Sequence, residues 1–230
     1  MKSFIFCTSF IRNDSQDHYS HRYKRWINYY YPLLDSFDAS RLFLIDDGGT
    51  DTSESVNVLC DPLPNELTDA VNMYRFNIHI GKNSSIDFPG WWRSFLFSIE
   101  IARKYGYKKI IHIESDFFVL SLRLKQFIRD SNQGWTSLYS HFYNFPETGI
   151  QIICEDVFDK FDELKDKLQL NSFRSDELAE YVIPFTNIKK DFIGDRIGEV
   201  NVLARWMDNY VHQLSELDYI GQMNVPAEEQ

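Results

Sequence analysis

Carboxylate side chains directly follow two apolar runs of this sequence, where they are placed to bind a cation. Glu114, Ser115 and Asp116 come after the run IIHI, and Asp46 and Asp47 come after the run RLFLI. A charge is costly to bury unless it is paired or bound to a cation. Carboxylate oxygens are the hard ligands that Mg²⁺ and Mn²⁺ prefer. The cluster of Glu114 and Asp116 therefore predicts a site for a divalent metal ion.

The apolar runs before these clusters have the length of β-strands. Strands are predicted over 3–9, 41–45, 74–80 and 109–113, with helices over 20–34 and 91–105. Further strands are predicted over 134–139 and 150–154, and further helices over 155–168 and 201–217. Strands that alternate with helices predict an α/β fold with a mostly parallel central sheet flanked by helices. No repeat or low-complexity linker interrupts the 230 residues, so we expect a single domain.

A third polar pair, Thr8 and Ser9, ends the first predicted strand. Parallel sheets bind ligands at the carboxyl ends of their strands, so we expect the three clusters to surround one polar ligand. The sequence contains neither GxxxxGK[ST] nor GxGxxG, the loops that cradle phosphates with backbone N–H groups. We therefore expect any phosphate to be bound through Mg²⁺ or Mn²⁺, held by Asp116 together with Glu114.

The composition and the residue patterns argue against several partners and locations for this protein. A net charge of −10 argues against nucleic acid, which requires a clustered positive surface. No apolar run reaches the length of about 18 residues that a membrane-spanning helix needs, and the N-terminus lacks the features of a signal peptide. The three cysteines have neither zinc nor disulfide spacing, which favours a cytoplasmic location. Contact with a membrane would be peripheral, through Arg22, Lys24 and Arg25.

Two of these stretches resemble the nucleotide-sugar glycosyltransferases of the GT-A type. LIDDGGTDTS resembles the DDGSTD stretch that follows the second strand in many of them, and IESDFF resembles their DxD motif, with Glu114 at the position of the first Asp. The resemblance covers about the first 120 residues and beyond them rests on element order. It implies a Rossmann-related GT-A fold, with a donor half over 1–120 and an acceptor and catalytic half over 121–230.

The resemblance implies a nucleotide-diphosphate sugar as donor. Asp47 would accept a hydrogen bond from a base N–H, which fits uracil and favours a UDP-sugar. Arg93 resembles the basic residue that these enzymes place near the diphosphate. The donor-binding residues implied in this way are Thr8, Ser9, Phe10, Asp46, Asp47, Arg93, Glu114 and Ser115. His212 would be a further metal ligand, because some relatives use a histidine near the C-terminus.

The resemblance also implies a general base that activates an acceptor hydroxyl. GEVNVLAR is similar to the family's GED…L..R stretch, with Val200 in place of the Asp, so the base is Asp195 or Glu199. Asp156, at the start of another predicted helix, is the competing candidate, although acids in a first turn also complement the helix dipole.

The predicted function is metal-dependent transfer of a sugar to a saccharide or lipid-linked acceptor, with inversion. A retaining transferase would share the same donor half. The altered ESD and GEV motifs also leave open a non-catalytic nucleotide- or sugar-binding module of the same fold.

Overall fold

The structure is a computed structural model, and it describes residues 1–11, 22–50, 56–59, 61–141, 143–196 and 216–222. Its larger sheet contains eight described strands, which are β1 (Ser3–Ser9), β2 (Ala39–Asp46), β3 (Asn57–Leu59), β4 (Val71–Arg75), β5 (Lys109–Ile113), β7 (Trp135–Ser140), β8 (Phe145–Cys154) and β9 (Asn187–Lys189). Their order across the sheet is β3-β4-β2-β1-β5-β8-β7-β9. The first five in this order are parallel, β8 is antiparallel to both β5 and β7, and β9 is parallel to β7. The predicted mostly parallel sheet is confirmed.

Helices cover both faces of this sheet because its central strands are apolar on both sides. Ile5 and Cys7 of β1 pack with α1 (Arg22–Tyr30) and α3 (Leu122–Asp130) on one face. Phe4 and Phe6 pack with α2 (Pro89–Tyr105) and α4 (Phe158–Leu170) on the other. Successive side chains of a strand point to opposite faces, so a strand buried on both reads as a continuous apolar run. No helix among the described residues combines the length and apolarity needed to cross a bilayer.

A small second sheet lies beside the carboxyl end of β5. It consists, within the described residues, of β10 (Gly194–Asp195), β11 (Tyr219–Ile220) and β6 (Phe118–Val119). A short helix, α5 (Ala179–Val182), precedes β9. The helix predicted over 201–217 lies almost entirely outside the described residues.

One predicted strand differs from the structure, and the segment considered for membrane contact has one face in the core. The strand expected over 74–80 is β4, which begins at Val71 and ends at Arg75. Beyond it the chain leaves the sheet, and the N–H groups of Ile80 and Gly81 donate to the Asp47 carboxylate. The basic and aromatic segment considered for membrane contact is α1, and the Tyr23, Trp26 and Tyr30 side chains are in the core. The alternating sequence pattern continues to residue 80, but β4 ends at Arg75, and the backbone that follows bonds to Asp47 instead of to a neighbouring strand.

Candidate active site

Glu114 lies directly after β5, and three neighbouring side chains hold it. Thr8 Oγ1, at the end of β1, donates to the carboxylate at 2.9 Å, and Trp91 Nε1 of α2 donates to Oε1. His112 Nε2 lies 2.9 Å from the same oxygen. Burial acts to raise the pKa of Glu114, but the His112 ring and these hydrogen bonds outweigh burial and lower the pKa. Glu114 is therefore held as a carboxylate in a fixed orientation.

Asp116 is the second carboxylate of this cluster, and it faces Arg22. The distance from Arg22 Nη1 to Asp116 Oδ2 is 3.3 Å, and the Asp116 side chain is 14% exposed. Burial raises the pKa of Asp116, and Arg22 opposes this shift while Glu114 adds to it. The raised pKa indicates that Arg22 does not fully compensate the burial of this carboxylate beside Glu114. A cation bound at Asp116 would supply that compensation.

The residues present fit a divalent metal ion. In the described part of the chain, no three side chains of the His, Cys, Asp and Glu types converge on one point. An ion here would take one or two carboxylates from the protein and its other ligands from phosphate oxygens and water, as Mg²⁺ commonly does. Asp116 is the better placed ligand, because Glu114 already accepts hydrogen bonds from Thr8 and Trp91. His212 lies outside the described residues.

Two adjoining cavities open at this edge of the sheet. The larger has a volume of about 780 Å³, within the range of small-molecule sites, and its wall includes Glu114, Ser115 and Asp116. The smaller, of about 280 Å³, includes Asp47 and His79 in its wall. Both cavities are lined by the end of β1 and the loop after it, at Thr8, Ser9 and Phe10. The site therefore offers a larger cavity with carboxylates in its wall and a smaller compartment beside it.

The Asp46 side chain stabilises the loops at this edge of the sheet through hydrogen bonds. Its carboxylate is buried and accepts hydrogen bonds from Ile11 N at 2.9 Å, Gly49 N at 2.8 Å and Arg75 Nε at 2.6 Å. A Cβ atom at Gly49 would lie 2.2 Å from the Ile11 carbonyl oxygen, so only glycine fits there. Burial nevertheless raises the pKa of Asp46 despite the opposing Arg75. Asp46, predicted to bind the donor, thus joins the loops after β1 and β2.

Asp47 and Arg93, also predicted to bind the donor, contact each other. Arg93 Nη2 donates to Asp47 Oδ1 and to the Ile78 carbonyl oxygen. Gly81 N donates to Asp47 Oδ2 at 2.8 Å, and His79 Nδ1 lies 2.9 Å from that oxygen. The His79 ring stacks on Phe10 with 3.6 Å between ring centroids. These contacts hold the chain after β4 beside Asp47, which lines the smaller cavity together with His79, whereas Arg93 is not among the residues that line either cavity.

Glu147, Arg196 and Glu180 form an ionic cluster at the other side of the larger cavity. Arg196 Nε and Nη2 donate to the two oxygens of Glu147 at 3.0 Å each, and Nη2 also donates to Glu180 Oε1 at 2.9 Å. Glu147 is fully buried. Burial raises the pKa of Glu147 although Arg196 opposes the shift, whereas the two carboxylates raise the pKa of Arg196 against the effect of burial. All three residues line the larger cavity.

The three residues predicted as general bases do not lie together. Asp156 accepts a hydrogen bond from Gly134 N at 2.8 Å. It follows Cys154, which pairs with Lys109 at the amino end of β5, so the structure places Asp156 at the opposite edge of the sheet from Glu114. The backbone of Asp195 forms β10, directly before the cavity-lining Arg196. Glu199 lies outside the described residues.

The sequence indicates Glu147, in the stretch NFPETG, either as a contact to the acceptor or as a plain loop acid, and no sequence signal points to its pairing with Arg196 or Glu180. Arg196 is 49 positions from Glu147 and 16 from Glu180, so no short motif contains them. The adjacent NFPETG stretch has turn-forming residues, but the structure places Glu147 within β8. The apolar run 150–154 indicates a strand, and β8 extends from that run back to Phe145 and so includes Glu147.

Comparison with known proteins gives matches at the level of structure. No protein-family model matches the chain, and the curated proteins contain no significant match. A glycosyltransferase involved in glycosylation of the major capsid of PBCV-1 matches with a TM-score of 0.52 at 11% identity, over 98% of this chain and 96% of that one. The apo form of the glycosyltransferase GlyE from Streptococcus pneumoniae TIGR4 also matches with a TM-score of 0.52, at 12% identity. The chain has a GT-A type glycosyltransferase fold.

The GT-A fold extends beyond the part of the chain that resembled the family in sequence. The match to the capsid glycosyltransferase covers nearly the whole of both chains, so it includes the region after residue 120. The match to GlyE covers 96% of this chain but 54% of GlyE, so this chain spans about half the length of that protein. At 11–12% identity these similarities concern the fold. The chemistry has to be argued from the site itself.

Proposed function

We propose that this protein transfers a sugar from a nucleotide-diphosphate sugar to a hydroxyl group of a saccharide or lipid-linked acceptor. The observation that carries the proposal is the position of Asp116. Its carboxylate faces a cavity of about 780 Å³ at the carboxyl ends of β1 and β5, beside the immobilised Glu114. A GT-A fold with a carboxylate at this edge that would bind a cation supports the proposed binding of a sugar diphosphate.

We propose that the nucleoside lies toward the smaller cavity, against Thr8, Ser9 and Phe10. These residues line both cavities, so a ligand that spans the two would pass over them. Asp47 lies in the wall of the smaller cavity, and its carboxylate already accepts from Arg93 and Gly81 N. The Phe10 ring, which stacks on His79, lines both cavities and would border the base. A uracil base, and hence a UDP-sugar, remains the favoured choice.

The diphosphate would then lie at Asp116, together with Mn²⁺ or Mg²⁺. When bound, the metal ion would neutralise the negative charge that develops on the departing nucleoside diphosphate. In this assignment Asp116 is the protein's ligand to the ion, and Glu114 either adds a second oxygen or fixes the turn that presents Asp116. Thr8 and Trp91 hold Glu114 in both cases. Ser115 is buried and lines the larger cavity.

In the proposed reaction an acceptor oxygen forms a bond to the anomeric carbon of the sugar, and the bond from that carbon to the diphosphate breaks. The acceptor hydroxyl proton passes to a carboxylate acting as general base. Asp195 and Glu199 remain the proposed bases, since the backbone of Asp195 adjoins the cavity wall at Arg196. Attack from the face opposite the leaving group gives inversion. Asp156 has no place in this step, because it lies at the other edge of the sheet.

Thermal unfolding against nucleoside diphosphates tests the proposal. UDP, GDP, CDP, ADP and dTDP would each be added with Mn²⁺, with Mg²⁺ or with EDTA. A ligand at about 100 times its dissociation constant stabilises a protein by roughly 2.7 kcal/mol, which gives a measurable rise in Tm. We expect one nucleotide to raise Tm only when metal is present. If no nucleotide changes Tm with either metal, the proposed function is wrong.

A further inference from the structure

The ionic cluster of Glu147, Arg196 and Glu180 carries more negative than positive charge at the wall of the larger cavity. Two carboxylates share one guanidinium, and the Glu147 and Glu180 side chains are 0% and 8% exposed. A cluster with this net charge repels phosphate and attracts groups that donate hydrogen bonds. Neutral hydroxyl groups, which are the recognition elements of sugars, are such donors.

The two carboxylates of the cluster differ in how completely they are bonded. Glu147 accepts from Arg196 with both oxygens and also from Gly149 N at 2.9 Å. Glu180 accepts with Oε1 alone, from Arg196 at 2.9 Å and from Thr148 Oγ1 at 3.1 Å. Glu180 Oε2 accepts no hydrogen bond from the described residues. Glu180 lines the larger cavity and its side chain keeps some exposure, so Oε2 is accessible to a hydrogen-bond donor from that cavity.

A short chain of hydrogen bonds connects this cluster to the metal-binding edge. Glu114 N donates to the Gly149 carbonyl oxygen at 2.9 Å, and Gly149 N donates to Glu147 Oε1 at 2.9 Å. Arg196 then joins Glu147 to Glu180. Asp116 and Glu180 both line the same cavity. A sugar attached to a diphosphate at Asp116 would therefore occupy the space that Glu180 borders.

We infer that Glu180 binds a hydroxyl group of the sugar carried by the donor through Oε2, and that Arg196 and Thr148 hold its other oxygen. This inference rests on the proposed function and adds a sugar-recognition residue to it. Glu180 would choose between donor sugars by requiring a hydroxyl at one ring position. A site built to bond a hydroxyl discriminates strongly against an analogue that lacks it, because its own polar group then remains unpaired.

The test compares binding of a nucleoside diphosphate with binding of the corresponding sugar nucleotide. The probes are UDP and GDP against UDP-glucose, UDP-galactose, UDP-N-acetylglucosamine and GDP-mannose, each with Mn²⁺, measured by calorimetry. The variant is Glu180→Gln, which keeps an oxygen for Arg196 and presents an N–H₂ donor to the cavity. The matched control is Glu177→Gln, an exposed position three residues earlier in the chain.

We expect Glu180→Gln to weaken binding of the preferred sugar nucleotide by about 10-fold to 100-fold, as the loss of a hydrogen bond to a charged group predicts. Binding of the free nucleoside diphosphate should change by less than about twofold, and Glu177→Gln should resemble wild type. Deoxy analogues of the sugar identify the contact. The analogue that lacks the bonded hydroxyl should bind wild type weakly and should lose little further affinity in Glu180→Gln.

Two results would overturn the inference while the proposed function stands. One is unchanged affinity of Glu180→Gln for the sugar nucleotide, with metal-dependent nucleotide binding intact. The other is an equal loss of affinity for the sugar nucleotide and for the free diphosphate, which would mean that Glu180 does not act on the sugar. Failure of wild type to bind any nucleoside diphosphate would instead refute the proposed function and the inference with it.

Discussion

Replacing Arg196 with methionine should destabilise the protein more than loss of any surface ion pair. Methionine keeps much of the aliphatic stem but removes the guanidinium that Glu147 and Glu180 share. Glu147 is fully buried, so its carboxylate would lose its charged partner without gaining water. Removing one member of a buried ion pair typically costs about 3–5 kcal/mol. We expect the free energy of unfolding of Arg196→Met to fall by an amount in this range.

The loss of stability in Arg196→Met should also depend on pH. Burial already raises the pKa of Glu147 in the presence of Arg196, and removal of Arg196 raises this pKa further. A carboxyl group with a raised pKa in the folded state binds its proton more tightly there than in the unfolded chain, where its pKa is about 4.3. The favourable contribution of Glu147 to the free energy of unfolding is therefore fully present below the unfolded-state pKa of about 4.3, and it is lost as the pH rises through the folded-state pKa. The deficit of Arg196→Met should therefore be smaller at pH 5 than at pH 8.

Urea unfolding at both pH values measures these effects. The matched control is Arg103→Met, because Arg103 pairs with Asp162 at an exposed position and its loss should cost less than about 1 kcal/mol. Addition of Glu147→Gln to Arg196→Met removes the orphaned charge and should restore part of the stability. If Arg196→Met loses no more stability than Arg103→Met, the buried cluster is not formed as described.

Two further predictions concern the supports of the site. Gly49→Ala should reduce stability more than Gly106→Ala in urea unfolding, since a Cβ at 49 meets the Ile11 backbone and Asp46, whereas a Cβ at 106 meets nothing within 4 Å and costs only its left-handed φ of 68°. Equal losses would argue against the close approach at Gly49. Trp91→Phe keeps a ring that can stack on Phe95 but removes the Nε1 donor to Glu114. It should cost about 1.5–3 kcal/mol in urea unfolding and weaken metal-dependent nucleotide binding, and unchanged values for both would show that Trp91 does not hold Glu114.

The architecture was predictable from the sequence because it depends on local patterns. The continuous apolar runs at 3–9 and 41–45 correspond to β1 and β2, which are buried strands at the centre of the sheet. The helical spacing over 91–105 corresponds to α2, which begins at Pro89 and ends at Tyr105, followed by Gly106 in a left-handed conformation. These signals come from short stretches of sequence: a continuous apolar run for a strand buried on both faces, and a proline and a glycine at the two ends of a helix. They can therefore be recognised before the fold is known.

The site was predictable only where its residues stand at strand ends. Glu114 and Thr8 are 106 positions apart, but each follows or ends a predicted parallel strand, so sheet topology brings them together. The pairing of Asp47 with Arg93, and of Glu147 with Arg196, depends on side chains from segments 46 and 49 positions apart. Nothing in either segment alone indicates its partner. The sequence therefore assigns Asp47 and Arg93 to ligand binding, whereas the structure shows that Asp47 pairs with Arg93 and Glu147 with Arg196.

The most direct test of sugar transfer is release of nucleoside diphosphate from a panel of sugar nucleotides in the presence of Mn²⁺. Water or an added saccharide serves as acceptor, and Asp116→Asn is compared with the exposed control Asp176→Asn. We predict release from one donor, lowered at least about 100-fold by Asp116→Asn through loss of the metal ligand and unchanged by Asp176→Asn. Metal-dependent nucleotide binding without release from any donor would contradict transfer and leave a binding module of the same fold.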